Sequence, residues 1–338
     1  LFRSKFIDRQ ETKQHIDLKT ARERKLKLDW DSYQPKVPNQ LGIQVIENQN
    51  LEELVPFIDW SPFFRSWDLH GHYPAILDDA VVGEQATELF ADAQVILSEI
   101  LENKSLTAKA VFGIFPANSI ADDDIEVYEN ETRSEGQVTF LTLRQQLKKR
   151  AGKNNIALAD FIAPKNSGVK DYVGSFCVST GFGTPELAKA YEDDNDDYNA
   201  IMVKALADRF AEAFAEFLHK EVRTKSWGYA SDEVLDNEAL IKEAYKGIRP
   251  APGYPACPDH LEKNTIWDLL QVEENIGVTL TESLAMWPAA SVSGYYFAHP
   301  EAQYFGVGKI TQDQVASYSK RKNIDLKEAE KWLRPNIK

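Results

Sequence analysis

The chain has 338 residues, a formal net charge of −14 at neutral pH and 43% hydrophobic residues. This hydrophobic content can build a substantial core and excludes a disordered chain, while the acidic balance argues against nucleic acid and anionic membranes as partners. The sequence contains no apolar run of roughly 18 residues and no visible signal peptide, so we expect no membrane span. Its two cysteines make no disulfide framework, which predicts a cytoplasmic protein.

The N-terminal region, residues 1–28, is dense in charge and has few large apolar side chains. This composition predicts a linker, which could be helical, rather than part of a core. The sequence starts without methionine, and we expect a piece of a longer polypeptide.

The rest of the chain mixes short strand signals with a few amphipathic helices. The first signals are a strand at residues 42–46 and a helix from Leu51 that Asn50 can cap and Pro56 interrupts. Further strands are predicted at residues 110–115, 125–128, 138–143, 172–179, 278–281 and 304–307. Helices are predicted at residues 84–101 and 197–222, and after capping boxes at Thr311 with Gln314 and Asp325 with Glu328. Strands and helices do not alternate strictly, which favours an α+β domain over a doubly wound parallel sheet.

Asp59 lies in a crowded aromatic segment, IDWSPFFRSW, at residues 58–67. Its carboxylate can cap a turn, a position that aspartate favours, or it can bind a ligand. If buried, it would need a hydrogen-bond donor, because an unpaired buried charge is costly.

The next segment, DLHGHY, places His70 and His72 two residues apart. Two histidines without a third ligand are weak evidence for a metal, and Cys257 with His260 is equally weak. The nucleotide signatures are also incomplete, since residues 181–183 (GFG) lack the third glycine and the acidic residue of a dinucleotide fingerprint. The sequence therefore indicates a binding site rather than a catalytic one, with no metal expected.

The helix predicted at residues 197–222 has two faces. One face carries Asp208, Glu212 and Glu216 at successive i+4 steps, where like charges cost about 0.2–0.5 kcal/mol per pair. These acids form either a solvated surface or a docking site for a sulfonium, an ammonium or a basic partner helix. The opposite face is apolar and consists of Leu206, Phe210, Ala213 and Phe217.

The most informative motif is GIRPAPGYPACPDH at residues 247–260. Its four prolines stiffen the run and exclude helix or central strand. Arg249 precedes them, Gly253 allows the backbone to pass close to a ligand, and Tyr254 follows. A rigid loop that holds a guanidinium beside accessible backbone suits a carboxylate ligand, because the arginine fork can bind that group through two hydrogen bonds. The alternative is a proline-rich surface connection.

Four segments carry a family resemblance: IDWSPFF (58–64), DDYNAIMVKALADRFAEAFAE (196–216), GIRPAPGYPACPDH (247–260) and LTESLAMWPAASVSGYYFAHPEAQYF (280–305). Together they resemble the C-terminal activation domain of cobalamin-dependent methionine synthases. The resemblance implies a linker from a preceding cobalamin module at residues 1–28 and an S-adenosylmethionine-binding activation domain at residues 29–338. It also implies a C-shaped single domain of the α+β class, with a central twisted antiparallel sheet, flanking helices and no Rossmann fold.

The same resemblance implies a function. The family domain binds S-adenosylmethionine and presents its methyl group to cob(I)alamin on the neighbouring module, during reductive reactivation of this methyltransferase of methionine biosynthesis. A flavodoxin or flavoprotein reductase donates the electron. Cobalamin and zinc are expected on other modules and not on this chain, which alone is expected to bind its ligand without turnover.

By position, the resemblance assigns one set of residues to the amino-acid and adenine ends of the ligand. Asp59 corresponds to an aspartate at the amino-acid end, and Arg249 to the arginine that pairs with the ligand carboxylate. Ala251 and Tyr254 flank that arginine, with backbone groups placed for the adenine.

A second set corresponds to the aromatic and acidic parts of the family site. Tyr304 and Phe305 correspond to an aromatic pair whose second member is often tyrosine, so we expect only a packing or backbone role for Phe305. Glu212 and Glu243 correspond to acids near the sulfonium, and Asp208 to the acidic face that meets the cobalamin module. A zwitterion that also carries a sulfonium needs this combination of one cationic anchor and several anionic neighbours.

Two alternatives of other classes stay open. The chain could be a pure docking module that recruits a redox partner after losing its ligand. It could also be a metal-dependent hydrolase that uses His70, His72, Cys257 or His260.

Overall fold

An antiparallel six-stranded sheet is the centre of the fold in the computed structural model, which describes residues 14–338. The strands in chain order are β1 (Gly42–Gln49), β2 (Thr107–Ile120), β3 (Asp124–Tyr128), β4 (Gly136–Leu141), β5 (Asp171–Phe182), β6 (Thr279–Leu280), β7 (Met286–Trp287) and β8 (Ser291–Tyr296). The sheet order is β4–β3–β2–β5–β8 with β1 also paired to β2, while β6 and β7 form a separate pair. The predicted α+β class without a Rossmann sheet is therefore confirmed.

The long strand β2 organises this sheet. One edge pairs with β5 from Thr107 to Ala117, and the other edge pairs first with β1 and then with β3. Side chains alternate between the two faces of a strand. Phe112 and Ile114 accordingly enter one core, whereas Val111 and Phe115 enter another on the opposite face.

Helices cover both faces of the sheet. In chain order they are α1 (Leu18–Glu23), α2 (Ser61–Ser66), α3 (Gly83–Asn103), α4 (Thr184–Asp193), α5 (Asp197–Glu221), α6 (Asn237–Ile241), α7 (Glu262–Leu270), α8 (Val272–Ile276), α9 (Gln312–Lys322) and α10 (Leu326–Leu333). Helices α3 and α5 pack on the first core and α7 and α8 on the second. No helix within residues 14–338 combines the length and apolarity that crossing a bilayer requires.

The two long helices confirm their predicted positions. In α5, Leu206, Phe210 and Ala213 are buried as the 3.6-residue period requires. Phe217, at the edge of this stripe, is half-buried and packs edge-to-face on Phe57 with ring centroids 5.4 Å apart.

Three local predictions were wrong. The helix expected after Asn50 is only two short 3₁₀ turns, because Pro56 removes a backbone donor. The strand predicted at residues 304–307 does not form: Val307 N–H donates to the Pro255 carbonyl at 2.8 Å, but the proline-rich neighbour has too few N–H groups for a ladder.

Thr311 precedes α9 without a side-chain cap, since the Gln314 amide is buried against the chain at Arg144. The cap by Asp325, which accepts from Glu328 N–H at 2.8 Å, is confirmed.

The described part of the predicted linker lies against the domain. Ile16 N–H donates to the Gln146 carbonyl at 2.9 Å, and Arg22 Nε donates to the buried Asp123 at 2.6 Å. The Arg24 carbonyl accepts from the N–H of residue 155 at 2.9 Å. Residues 1–13 of the predicted linker lie outside the described residues.

Candidate functional site

A cavity of about 510 Å³ lies where the proline-rich loop, helix α5 and the segment at Tyr304 meet. It is lined by Glu212, Glu243, Arg249, Pro250, Ala251, Tyr254, Pro255, Ala256, Val292, Tyr304 and Phe305. All the predicted site residues except Asp59 and Asp208 are therefore brought together around one space. Their roles towards a ligand stay predictions.

Strand β8 holds the start of the proline-rich loop. Ile248 and Phe297 exchange two backbone hydrogen bonds of 3.0 Å, and Tyr295 N–H donates to the Pro250 carbonyl at 2.9 Å. A Cβ at Gly294 would lie 2.6 Å from that carbonyl oxygen, so glycine permits the close approach. The loop is thus fastened to the edge of the main sheet.

The tip of the loop is a compact turn closed by its own backbone. Gly253 N–H donates to the Cys257 carbonyl at 2.7 Å, and Cys257 N–H donates to the Tyr254 carbonyl at 2.9 Å. Gly253 has φ of 91°, and a Cβ there would lie 2.3 Å from the imidazole of His260. Cys257 and His260 therefore support the turn, while 58% of Tyr254 remains exposed beside the cavity.

Arg249 is only partly bonded within the protein. Its Nη2 donates to Glu216 Oε2 at 3.1 Å, and its backbone N–H donates to the Tyr304 hydroxyl at 3.0 Å. The Nε group is buried and has no hydrogen-bond partner among the described residues. Burial alone would lower the pKa of Arg249, but Glu216, Tyr245, Tyr304 and Glu212 together outweigh it and raise the pKa. The guanidinium is therefore a permanent cation at the cavity wall.

A chain of ion pairs continues behind Arg249. Arg223 lies 3.8 Å from the second oxygen of Glu216 and binds both oxygens of Glu233 at 2.7–3.2 Å. Arg223 is fully buried in a π-helical turn that extends α5, a helix irregularity frequent at functional sites. Neither Arg223 nor Glu233 was assigned to the site, and Glu216 was recognised only as part of the acidic stripe.

His219 is a further residue of this region that was not predicted. It is fully buried, and its ring stacks on Tyr296 with centroids 5.2 Å apart. Burial lowers the pKa of His219 well below its ordinary value, and Arg223 and Arg249 act in the same direction. The imidazole is therefore neutral and adds no charge behind the cavity.

Two acids line the same cavity as this cation. Glu212 lies one helical turn before Glu216 on α5, and Glu243 follows α6 in a left-handed conformation with φ of 55°. Partial burial raises the pKa of Glu243, Arg249 opposes this change, and Glu216 adds to it. The cavity thus presents one cation and two carboxylates.

The aromatic pair lines the remaining wall. The Tyr304 hydroxyl, which accepts from Arg249, is also 3.1 Å from the Tyr245 hydroxyl. Burial raises the pKa of Tyr304, so the phenol is neutral at physiological pH. Phe305 packs against Phe161 with ring centroids 6.2 Å apart. This packing suits the role expected for Phe305.

Asp59 and Asp208 lie outside the lining of this cavity. Asp59 Oδ1 accepts from Ser61 N–H at 3.0 Å, so this carboxylate closes a turn immediately before α2, in line with the turn alternative. Asp208 is 59% exposed and pairs with Arg209 at 2.9 Å. It lines a separate cavity of about 570 Å³ that also includes Trp287.

The residues of the metal hypothesis do not assemble. His70 and His72 are exposed on the loop after α2, whereas Cys257 is buried in the proline-rich loop. Among residues 14–338, no three His, Cys, Asp or Glu side chains form a group that could hold a metal ion. The hydrolase alternative gains no support from these positions.

The fold is an α+β domain, and its cavity combines one cation with two carboxylates. Residues 50–323 match the family model of the vitamin B12 dependent methionine synthase activation domain. The chain belongs to this family, which forms part of a methyltransferase.

Comparison with solved structures agrees with this assignment. The chain is similar to a crystal structure described as the MetH reactivation domain bound to AdoHcy, with 52% sequence identity and a TM-score of 0.93. The match covers 96% of this chain and 98% of that chain. The family resemblance inferred from the four sequence segments is confirmed.

Proposed function

We propose that this chain binds S-adenosylmethionine in the cavity at Arg249 and presents its methyl group to cob(I)alamin during reductive reactivation. The observation that carries this proposal is the Arg249 guanidinium, a cation that lines one cavity with Glu212 and Glu243. Its buried Nε has no hydrogen-bond partner among the described residues. The similar crystal structure supports it, because AdoHcy is the proposed ligand without its transferable methyl group.

The chemistry of the lining fits each part of this ligand. Arg249 suits the carboxylate, since a guanidinium can bind that group through two hydrogen bonds. Glu212 and Glu243 suit the positive charge of the sulfonium, and the rings of Tyr254 and Tyr304 offer aromatic faces that also attract cations. The backbone around residue 251 is left for the adenine. Asp59, although outside the cavity lining, stays the proposed partner for the amino-acid end.

The reaction needs no general acid or base from this chain. Cob(I)alamin on the neighbouring module supplies the electron pair that forms the cobalt–carbon bond while the sulfur–methyl bond breaks, and no proton moves. The residues of the cavity hold and orient the ligand, which makes the transfer effectively intramolecular. Glu212 and Glu243 attract the sulfonium but not the neutral thioether product, so they favour release after transfer.

The same proposal assigns roles to the N-terminal segment, to the surface at Asp208 and to the partners of this domain. Residues 1–28 connect a preceding cobalamin module to the activation domain at residues 29–338, and the exposed acidic face at Asp208 docks that module. A flavodoxin or flavoprotein reductase supplies the electron, while cobalamin and zinc belong to other modules. The unpaired thiols of Cys177 and Cys257 fit a reducing compartment such as the cytoplasm.

A methyl-transfer assay in trans tests this function. The separately produced cobalamin module is reduced to cob(I)alamin and mixed with methyl-labelled S-adenosylmethionine, with or without this chain. We expect label to reach the cobalamin only when the chain is present, and far more slowly with Arg249→Ala. Equal transfer with and without the chain would contradict the proposal. Complex formation without transfer would instead support the docking-module alternative.

A further inference from the structure

Glu216 occupies an unusual place on helix α5. It is the last member of the acidic stripe, and its side chain is 12% exposed, compared with 59% for Asp208 at the start of the stripe. A solvated acidic face does not explain a carboxylate at this depth. The contacts of Glu216 point instead to the cavity, through Arg249.

The bond between Glu216 and Arg249 is made at one end of the guanidinium only. Glu216 Oε2 accepts from Nη2 at 3.1 Å, and Nε has no hydrogen-bond partner among the described residues. The carboxylate therefore neutralises part of the charge and fixes the side chain without using up its donors. An arginine side chain left free would lose more conformational entropy on binding a ligand.

A second arginine lies close to the other carboxylate oxygen of Glu216. Arg223, fully buried, lies 3.8 Å from its Oε1 and is bound by both oxygens of Glu233. The four side chains alternate in sign from Glu233 to Arg249, so no charge in the row lacks an opposite neighbour. Hydrogen bonds join the two ends of this row, Arg223 to Glu233 and Arg249 to Glu216, while Arg223 and Glu216 attract each other by charge alone.

We propose that Glu216 is the positioning residue of the ligand site, which holds the Arg249 guanidinium in the orientation that receives the ligand carboxylate. The inference rests on the proposed function, since it assigns the carboxylate end of S-adenosylmethionine to Arg249. Its consequence is selective: Glu216 matters for ligands that carry the amino-acid carboxylate and not for ligands that lack it.

The test compares three ligands by isothermal titration: S-adenosylmethionine, S-adenosylhomocysteine and methylthioadenosine, which lacks the amino-acid end. The variants are Glu216→Ala and Glu216→Gln, with Glu221→Gln as a matched control on the same helix, where Glu221 pairs with Lys225 at 2.7 Å. Folding of each variant is checked by circular dichroism.

We expect Glu216→Ala to weaken both carboxylate ligands by about 10- to 100-fold and methylthioadenosine by less than about twofold. Glu216→Gln keeps an acceptor for Arg249 and is expected to recover part of the loss, and Glu221→Gln to match the unmodified chain. An equal loss for all three ligands, or no loss for any, in a folded Glu216 variant would overturn the inference alone. Failure of the unmodified chain to bind any of the ligands would overturn the proposed function and this inference with it.

Discussion

Replacing Arg144 with methionine is expected to remove a large part of the stability of the domain. Arg144 is fully buried, and all five of its N–H groups are used. Nε donates to Asp123 at 2.7 Å, and the two terminal nitrogens donate to the oxygens of Asp160 at 2.7 and 2.8 Å. Without this cation, the buried carboxylates of Asp123 and Asp160 have less positive charge near them to balance their own.

The magnitude follows from what remains in the variant. Removing one partner of a buried ion pair costs about 3–5 kcal/mol, because the other charge stays buried. Asp123 keeps its hydrogen bond from Arg22, so most of the lost stability comes from Asp160. Burial already raises the pKa of Asp160 and Arg144 opposes this. In the variant that pKa rises further, and protonation of Asp160 makes the loss smaller at acid pH than at neutral pH.

Urea unfolding followed by circular dichroism measures this loss, with Arg22→Met as the control. Arg22 contacts the same Asp123 but is 27% exposed, so its replacement is expected to cost only about 1 kcal/mol. A loss below about 1 kcal/mol for Arg144→Met, or equal losses for the two variants, would refute the reasoning from burial.

Three further predictions concern the cavity and its surroundings. Arg249→Ala is expected to weaken S-adenosylmethionine binding by about 2–5 kcal/mol, and unchanged affinity in a titration would place the carboxylate anchor elsewhere. Asp208→Asn is expected to leave ligand affinity nearly intact while weakening complex formation with the cobalamin module; a large loss of ligand affinity would reverse that assignment. Protonation of Glu243, whose pKa is raised, removes a negative charge as the pH falls, so affinity for the sulfonium ligand is expected to drop toward acid pH and Glu243→Gln to flatten this dependence. A pH series with S-adenosylhomocysteine, a neutral thioether, is expected to change less, and identical pH profiles would exclude Glu243 as the cause.

Elements with a strong local signal could be predicted from the sequence. Helix α5 was expected at residues 197–222 and runs over Asp197–Glu221, because its apolar period is set by its own residues. Strand β8 was not predicted: serine and glycine dominate its SVSG start, and the strand forms because it pairs with β5. The segment 304–307 has apolar residues but no strand partner that can complete a ladder.

The candidate site also has a part that the local sequence predicts and a part that depends on tertiary packing. The loop that holds Arg249 was recognisable from its residue types, since prolines and a guanidinium in one run have a direct chemical meaning. The importance of Glu216 could not be predicted in the same way, because the fold brings Arg249, 33 residues later in the chain, back onto helix α5. The i+4 spacing of the acids was a visible signal, but burial of the last acid depends on tertiary packing.

The central claim is that the Arg249 cavity binds S-adenosylmethionine, and isothermal titration of the purified chain with this ligand tests it most directly. The account predicts saturable binding at one site per chain, with S-adenosylhomocysteine competing for the same site. Absence of saturable binding, or binding that S-adenosylhomocysteine does not displace, would contradict it.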